Sequence, residues 1–425
     1  MLCYNIKNTK SREKGSAMKV KLVFEEPIVV AYGAEHKGLG WSEWGPTQFP
    51  SLHRGENDVL ICAYGNSEDT TDAWGRIRIH CVSEDGGDTW RQIKLDSEEF
   101  NCIRAQTGVK LPNGEYLRVE KPAIEEISEE LYEQLKSMRT PGYSTLLASK
   151  LPQDLQIKGM PCYRSEKGGR NEKPYLCGWD FSAQCVGFPP TEIHTWLKKG
   201  VIKYFAYSKD SLKVDAKGRI WFATDSCSCN PETMEESKFN NVYVFCSDDN
   251  GASFQLKSFI MCDGKVQEFN GVIGYYEPEI CFMPDESIIM LIRTGSTTPS
   301  LFSRSTDDGK TWSKPVIFDR CGIRPGLVHL ENGVTLAIYG RPGMYLRATA
   351  DPSGVDWDEP FELMPYEYDP NDIEKLFTKS CFNSRIIAID DNTAMIAYSD
   401  FFTKDEQGVN RKAIKVRKVH TEIVE

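Results

Sequence analysis

The residues with most to offer chemically lie in the stretch YYEPEICFMPDESIIMLIR. Glu277 and Glu279 stand two apart, so on an extended chain they share a face. Arg293 ends the next strand-like segment, and the turn between the segments folds the second strand back on the first. A carboxylate and a guanidinium can therefore meet. Arg324 and Arg341 each stand directly before a Pro-Gly pair. The planar fork of arginine suits it to holding a carboxylate. Asp69 and Asp72 lie in the loop-like segment EDTTDAWG, where a carboxyl group can exchange a proton. Trp41, Trp44 and Trp74 offer apolar faces on which a sugar ring can stack. The plainer readings stand beside these: each arginine paired with its own strand carboxylate, and the tryptophans packed in a core or rim.

Other chemistries find little support. No glycine-rich loop is followed by Lys and Ser/Thr, and there is no dinucleotide fingerprint. Cys227-Ser228-Cys229 does not have the spacing of a zinc-ligand pair, and the chain has 6 histidines. No metal or cofactor is expected. The formal charge of −11 over 425 residues argues against duplex nucleic acid as a partner. Apolar runs such as Ile288 to Ile292 are too short to span a bilayer, so no membrane segment is expected. The first 21 residues have no apolar core of a secretory signal. The 14 cysteines are scattered through apolar strands such as those around Cys62, Cys81, Cys246 and Cys281. They read as buried free thiols, and the expected location is cytoplasmic unless a leader was removed.

The elements that must position these residues repeat. SEDGGDTW (83–90) and STDDGKTW (305–312) share one eight-residue pattern. SDDNGASF (247–254) and TADPSGVDW (349–357) are looser copies. Asp caps turn N–H groups, Gly takes a conformation a Cβ would forbid, and the aromatic tucks under the turn. A second pattern, a turn followed by an apolar strand, recurs at Asn57, Gly114, Gly218, Glu286, Gly333 and Asn392. Most steps between copies are near one four-stranded blade in length. The long step from Gly114 to Gly218 holds an insertion, whose segment EEISEELYEQLKSM (125–138) predicts an amphipathic helix. The helical insertion is placed around 122–140. Residues 1–17 are read as a disordered extension and 18–425 as one all-β domain, a six-bladed β-propeller. Val20 to Val30 and Ala413 to Val419 are both strand-like, so the two ends are expected to close one ring.

These boxes and repeats, over about residues 20 to 420, resemble the sialidase (neuraminidase) superfamily, whose propellers carry BNR or Asp-box turns. The resemblance implies a retaining mechanism with three carboxylate-binding arginines, a tyrosine nucleophile activated by a glutamate, and an aspartate as acid and base. Glu277 and Arg293 match the family's Glu-Pro strand and following arginine, with Glu279 as the second choice of glutamate. Arg341 matches the arginine that precedes a box. Tyr398, in MIAYSDF, stands for the nucleophile, and Asp72, with Asp69 beside it, for the acid. Where the family has Arg-Ile-Pro, this chain has Gln48-Phe49-Pro50. Glutamine cannot offer a charged fork. Arg324, Arg104 or Arg54 are the candidates to compensate, with Arg104 placed at a strand start in the second blade. The resemblance thus implies an exo-glycosidase acting on a terminal acidic sugar; Trp44 is added to the sugar site for its stacking face alone. The alternatives are a glycosidase of other specificity and a non-catalytic glycan-binding propeller.

Overall fold

The computed structural model describes the chain apart from residues 1–18, 36–45, 68–77, 121–124, 141–144, 157, 181–182, 188–200, 205–211, 227–228, 267–271, 273, 296, 367–378 and 425. The fold is mostly β. Among the described residues, six antiparallel four-stranded units, two of them joined in one eight-stranded sheet, follow one another along the chain, with one further four-stranded sheet inserted. Unit 1 is Gln48–Arg54, Leu60–Gly65, Arg78–Ser83 and Arg91–Gln92. Unit 2 is Val109–Lys110, Tyr116–Val119, Met160–Ser165 and Lys173–Trp179. Unit 3 is Leu212–Val214, Ile220–Ser226, Asn241–Ser247 and Ser253–Ile260. Unit 4 is Tyr276–Phe282, Ile288–Arg293, Ser300–Ser305 and Val316–Asp319. Unit 5 is Ile323–His329, Thr335–Gly340, Met344–Thr349 and Phe361–Met364. Unit 6 takes Ser384–Ala388, Thr393–Lys404 and Asn410–Val424 from the C-terminal end and Lys19–Phe24 from the N-terminal end. Ile28–Glu35 also pairs with Asn410–Val424. The two ends therefore meet in one sheet, as the strand pattern predicts.

Apolar residues at the centre of each unit pack against the next unit. Trp221, Val244 and Cys246 of unit 3 share a cluster with Ile280, Met290 and Leu301 of unit 4. Leu336, Ile338 and Leu346 of unit 5 pack with Ile386, Ile396 and Val419 of unit 6. Leu52, Leu60 and Cys62 of unit 1 pack with Met395, Ala397 and Ile414 of unit 6. Units 2 and 3 are further joined by a short parallel pairing, Gly178 with Ser253 and Trp179 with Phe254. The core is thus a series of interfaces between sheets, and the first strands of units 4, 5, 6 and 1 lie beside one another in that order.

The eight-residue segments fold as one turn. In the first, Asp85 accepts hydrogen bonds from the N–H groups of Asp88 and Thr89 and from two hydroxyls, those of Ser83 and Thr89. Ser83 Oγ accepts from Gly87 N, and Trp90 Nε1 donates to the Gly87 carbonyl at 3.0 Å. Gly87 has φ of 96°, which a Cβ would strain. Asp249 and Asp307 repeat the arrangement around Ser247 and Ser305.

Two expectations need correction. The insertion is more than a helix. Helix α2 spans only Glu129–Ser137, capped by Ser128, and Glu125–Glu126 is extended. A separate four-stranded sheet, Glu125–Glu126, Thr145–Leu147, Cys185–Gly187 and Val201–Tyr204, accompanies it. Helix α1, Glu98–Ala105, occupies the place where a strand start was expected. Ser97 accepts from Phe100 N as its cap, two glutamates open the first turn, and Ile103 is buried against Ile61 and Val82.

Candidate functional site

A shared backbone device aims the charged groups. The first strands of units 1, 4 and 5 open with a residue in the left-handed region followed by proline: Phe49 (φ 55°), Glu277 (φ 46°) and Arg324 (φ 40°). Phe382 (φ 54°), before Asn383, takes the same place in unit 6. Pairing slips beside each of the first three, between Gln48 and Ser51, Tyr276 and Glu279, and Ile323 and Gly326. Such a bulge turns a side chain out of the regular alternation. Left-handed backbone at a bulky residue costs about 1–3 kcal/mol and persists only where its surroundings hold it.

At Glu277 the surroundings are well defined. Glu277 Oε1 accepts from Arg293 Nη1 at 2.9 Å, and Oε2 accepts from the backbone N–H of Arg324 at 2.9 Å. The Glu277 N–H donates to Asp225 Oδ1 at 3.0 Å. Arg293 Nε donates to the Gly295 carbonyl. Burial pushes the Glu277 carboxyl up. The guanidiniums of Arg293, Arg324 and Arg341 outweigh that and leave it below the usual carboxylate range. Arg341 is buried, has φ of 55°, and donates from Nη2 to the Cys381 carbonyl at 2.6 Å. Three positive groups from units 4 and 5 therefore bear on one carboxylate. Guanidiniums grouped in a partly enclosed place can attract an anion.

Several expected members stand elsewhere. Glu279 does not share a face with Glu277, because the bulge breaks the alternation. It is buried and accepts from Lys213 Nζ at 2.7 Å and Arg385 Nη1 at 3.4 Å, linking units 3, 4 and 6. Arg104 lies on α1 and donates to Glu172 at 2.9 Å, in a network with Arg118 and Glu120. Arg54 pairs with Asp58 at the surface. Tyr398 is 8% exposed and packs between units 5 and 6 among Ile338, Leu346, Phe382 and Ile386. Burial pushes its phenol up to about 12, with Asp400 adding to the shift and Arg417 opposing it. Neither Glu277 nor Glu279 hydrogen-bonds to it, so the activating contact expected for a nucleophile is missing here. Gln48 is fully buried, and neither end of its amide has a hydrogen-bond partner among the described residues. Asp69, Asp72, Trp41, Trp44 and Trp74 lie outside the described residues.

Sequence reasoning missed Asp225, Lys213 and Arg385. Asp225 was open to notice, as a lone carboxylate near the end of the apolar strand Ile220–Ser226. Among the described residues no group of His, Cys, Asp and Glu is arranged to hold a metal ion, and no helix is long and apolar enough to cross a membrane.

No protein-family model matches the chain, and no curated protein sequence matches it. Solved structures do. A protein of unknown function from Dyadobacter fermentans aligns over 94% of this chain and 99% of its own, with a TM-score of 0.61 and 15% identity. That is a likeness of fold. The NanB sialidase of Streptococcus pneumoniae, as its K499G mutant, aligns over 89% of this chain and 70% of its own, at a TM-score of 0.49 and 12% identity. The alpha-l-arabinofuranosidase arb93a of Fusarium graminearum aligns over 88% and 95%, at 0.46 and 11%.

Proposed function

We propose that the protein is a sialidase-like exo-glycosidase that takes a terminal acidic sugar, its carboxylate held by Arg293, Arg324 and Arg341. The six four-stranded units are read as the blades of a propeller, with the arginines at the mouth of its axis. The observation that carries the reading is the Arg293 guanidinium on one oxygen of Glu277 and the Arg324 backbone N–H on the other, each at 2.9 Å, with the charges of Arg324 and Arg341 near enough to lower that carboxyl's pKa. An arginine cluster costs desolvation and mutual repulsion. A ligand carboxylate would offset part of that cost.

In this reading Asp72, with Asp69 beside it, donates the proton to the leaving oxygen. Glu277, kept ionised by the arginines, stabilises the cationic sugar that forms as the bond breaks. Tyr398 has no part in the step, because neither Glu277 nor Glu279 hydrogen-bonds to its hydroxyl and its ring belongs to the apolar cluster of units 5 and 6. That placement also favours a second reading, a propeller that binds acidic glycans without hydrolysing them.

The test joins calorimetric titration with a hydrolysis screen. Sialic acid, glucuronic acid, galacturonic acid and a neutral hexose are titrated, and the matching aryl glycosides are assayed. The proposal expects binding and turnover confined to the acidic set. Binding without turnover selects the second reading. Turnover of neutral glycosides alone overturns the acidic-sugar assignment.

A further inference from the structure

We propose that Asp225, on the neighbouring unit, is the positioning residue of the arginine site: it fixes the backbone of Glu277 and, through it, Arg293 and Arg324. The inference rests on the site described above.

The argument begins with the backbone. In a regular strand the N–H of Glu277 would belong to a ladder. Its φ of 46° and the slip in pairing between Tyr276 and Glu279 take it out of one. A half-buried N–H so displaced needs another acceptor. Asp225 Oδ1 supplies it at 3.0 Å, from the strand Ile220–Ser226 of unit 3. The same strand end is tied to Asn240, whose Nδ2 donates to Asp225 Oδ2 at 3.3 Å. Asn240 in turn accepts the Tyr275 N–H on its carbonyl at 2.8 Å. Two N–H groups of the segment entering unit 4, at Tyr275 and Glu277, are thus both held by unit 3.

The consequence reaches unit 5. Glu277 spends one oxygen on the Arg293 side chain and the other on the Arg324 backbone, each at 2.9 Å. Arg324 is itself left-handed, with φ of 40°. A charge-assisted bond from a carboxylate to a backbone N–H is among the stronger contacts available to hold such a conformation. Loosening Asp225 frees Glu277 to relax toward ordinary extended backbone, which turns its carboxylate away from both partners. The chain of contacts runs Asp225, Glu277, Arg324, across three units. A plain structural strut would affect overall stability and nothing local at Arg324.

The experiment compares the full-length wild-type chain with Asp225→Ala and Asp225→Asn by residue-resolved amide exchange, thermal melting and titration with glucuronate. Asparagine keeps an oxygen that can accept the Glu277 N–H, and Asn240 can turn its amide to suit. In Asp225→Ala, exchange at the Glu277 and Arg324 amides should quicken at least tenfold while the amides of Ile288–Arg293 hold their rates. Glucuronate binding should weaken by about the same factor. Asp225→Asn should restore most of both. If Asp225→Ala does not fold, Asp225→Ser, whose hydroxyl is too short to span the gap, takes its place in the comparison. Unchanged exchange at the two amides overturns the proposal. So does an Asn variant no better than Ala. Failure of the wild-type chain to bind any sugar acid would count against the proposed function alone, because the exchange comparison needs no ligand.

Discussion

Glu277 and Arg324 occupy the same place in successive sheets, and the carboxylate of the first accepts the backbone N–H of the second at 2.9 Å. Each is a left-handed residue before a proline at the start of a first strand. Phe49 and Phe382 fill the equivalent places in units 1 and 6. Phe49 packs against Cys381 and Phe401, and the Cys381 carbonyl receives Arg341. One left-handed turn, repeated in four units, therefore carries charged groups in units 4 and 5 and aromatic ones in units 6 and 1. The repeat supplies the geometry, and the residue type at the turn supplies the chemistry.

Replacing Glu277 by Gln tests the charge at that turn. The Glu277 and Arg293 side chains are 29% and 22% exposed, so solvent screens part of their attraction. The expected loss at neutral pH is about 1–2 kcal/mol, below that of a fully buried pair. The pH dependence has a definite sign. The folded-state pKa lies below the ordinary carboxylate value of ~4.3. The stabilisation is therefore complete above that value and is lost as pH falls through the folded pKa. Denaturant melts of both proteins should show a constant gap from neutral pH down to about 5. The gap should close in more acidic solution, and one that widened on acidification would refute the assignment.

Gln48→Met should raise stability. The buried amide has unpartnered nitrogen and oxygen among the described residues, and leaving such a group unsatisfied costs about 1–3 kcal/mol. Methionine fills a similar volume without that cost. A higher denaturation midpoint with an unchanged slope is the expected result. A lower midpoint would mean that the amide is hydrogen-bonded in solution.

Much of the architecture was legible because it rests on short-range rules. The Ser-x-Asp-x-Gly turns need only local hydrogen bonds, and the apolar strands after them need only burial on both faces. The site was legible in part. Glu277 and Arg324 could be named from Pro-flanked strand starts, Arg293 from the end of the next strand and Arg341 from the Pro-Gly pair after it, and Glu277 and Arg293 meet at 2.9 Å. Glu279 could not be placed, because period-two alternation holds only in the absence of a bulge. Arg104 was misread although Ser97, Glu98 and Glu99 form an ordinary helix start. Tyr398 shows a deeper limit. Alternation tells which residues share a face, while which face meets the neighbouring sheet depends on how the sheets pack.

Tyr398→Phe is the direct check on that last point. The hydroxyl makes no hydrogen bond described here, and the ring packs between two units. Removing the oxygen should change stability by less than about 0.5 kcal/mol. Binding and turnover of the acidic glycosides should stay within error of wild type. Loss of turnover with stability intact would return this tyrosine to the mechanism and overturn its placement in the core.

A pair of arginine variants separates the site from its surroundings. Arg324 is half-buried and close enough to Glu277 to lower its pKa. Arg104, on the helix Glu98–Ala105, is held by Glu172, which lies between the last two strands of unit 2. Arg324→Ala should weaken binding of a sugar acid by at least tenfold, about 1.4 kcal/mol, since a charged contact is lost. Its effect should diminish at high salt, where screening reduces the attraction that the arginine adds. Arg104→Ala should leave binding unchanged. It should lower the melting temperature instead, because Glu172 keeps Arg118 but loses one of its two cations. Titration of both variants at two salt concentrations, with melting curves alongside, distinguishes these outcomes. Equal loss of binding in the two variants would place Arg104 back in the pocket.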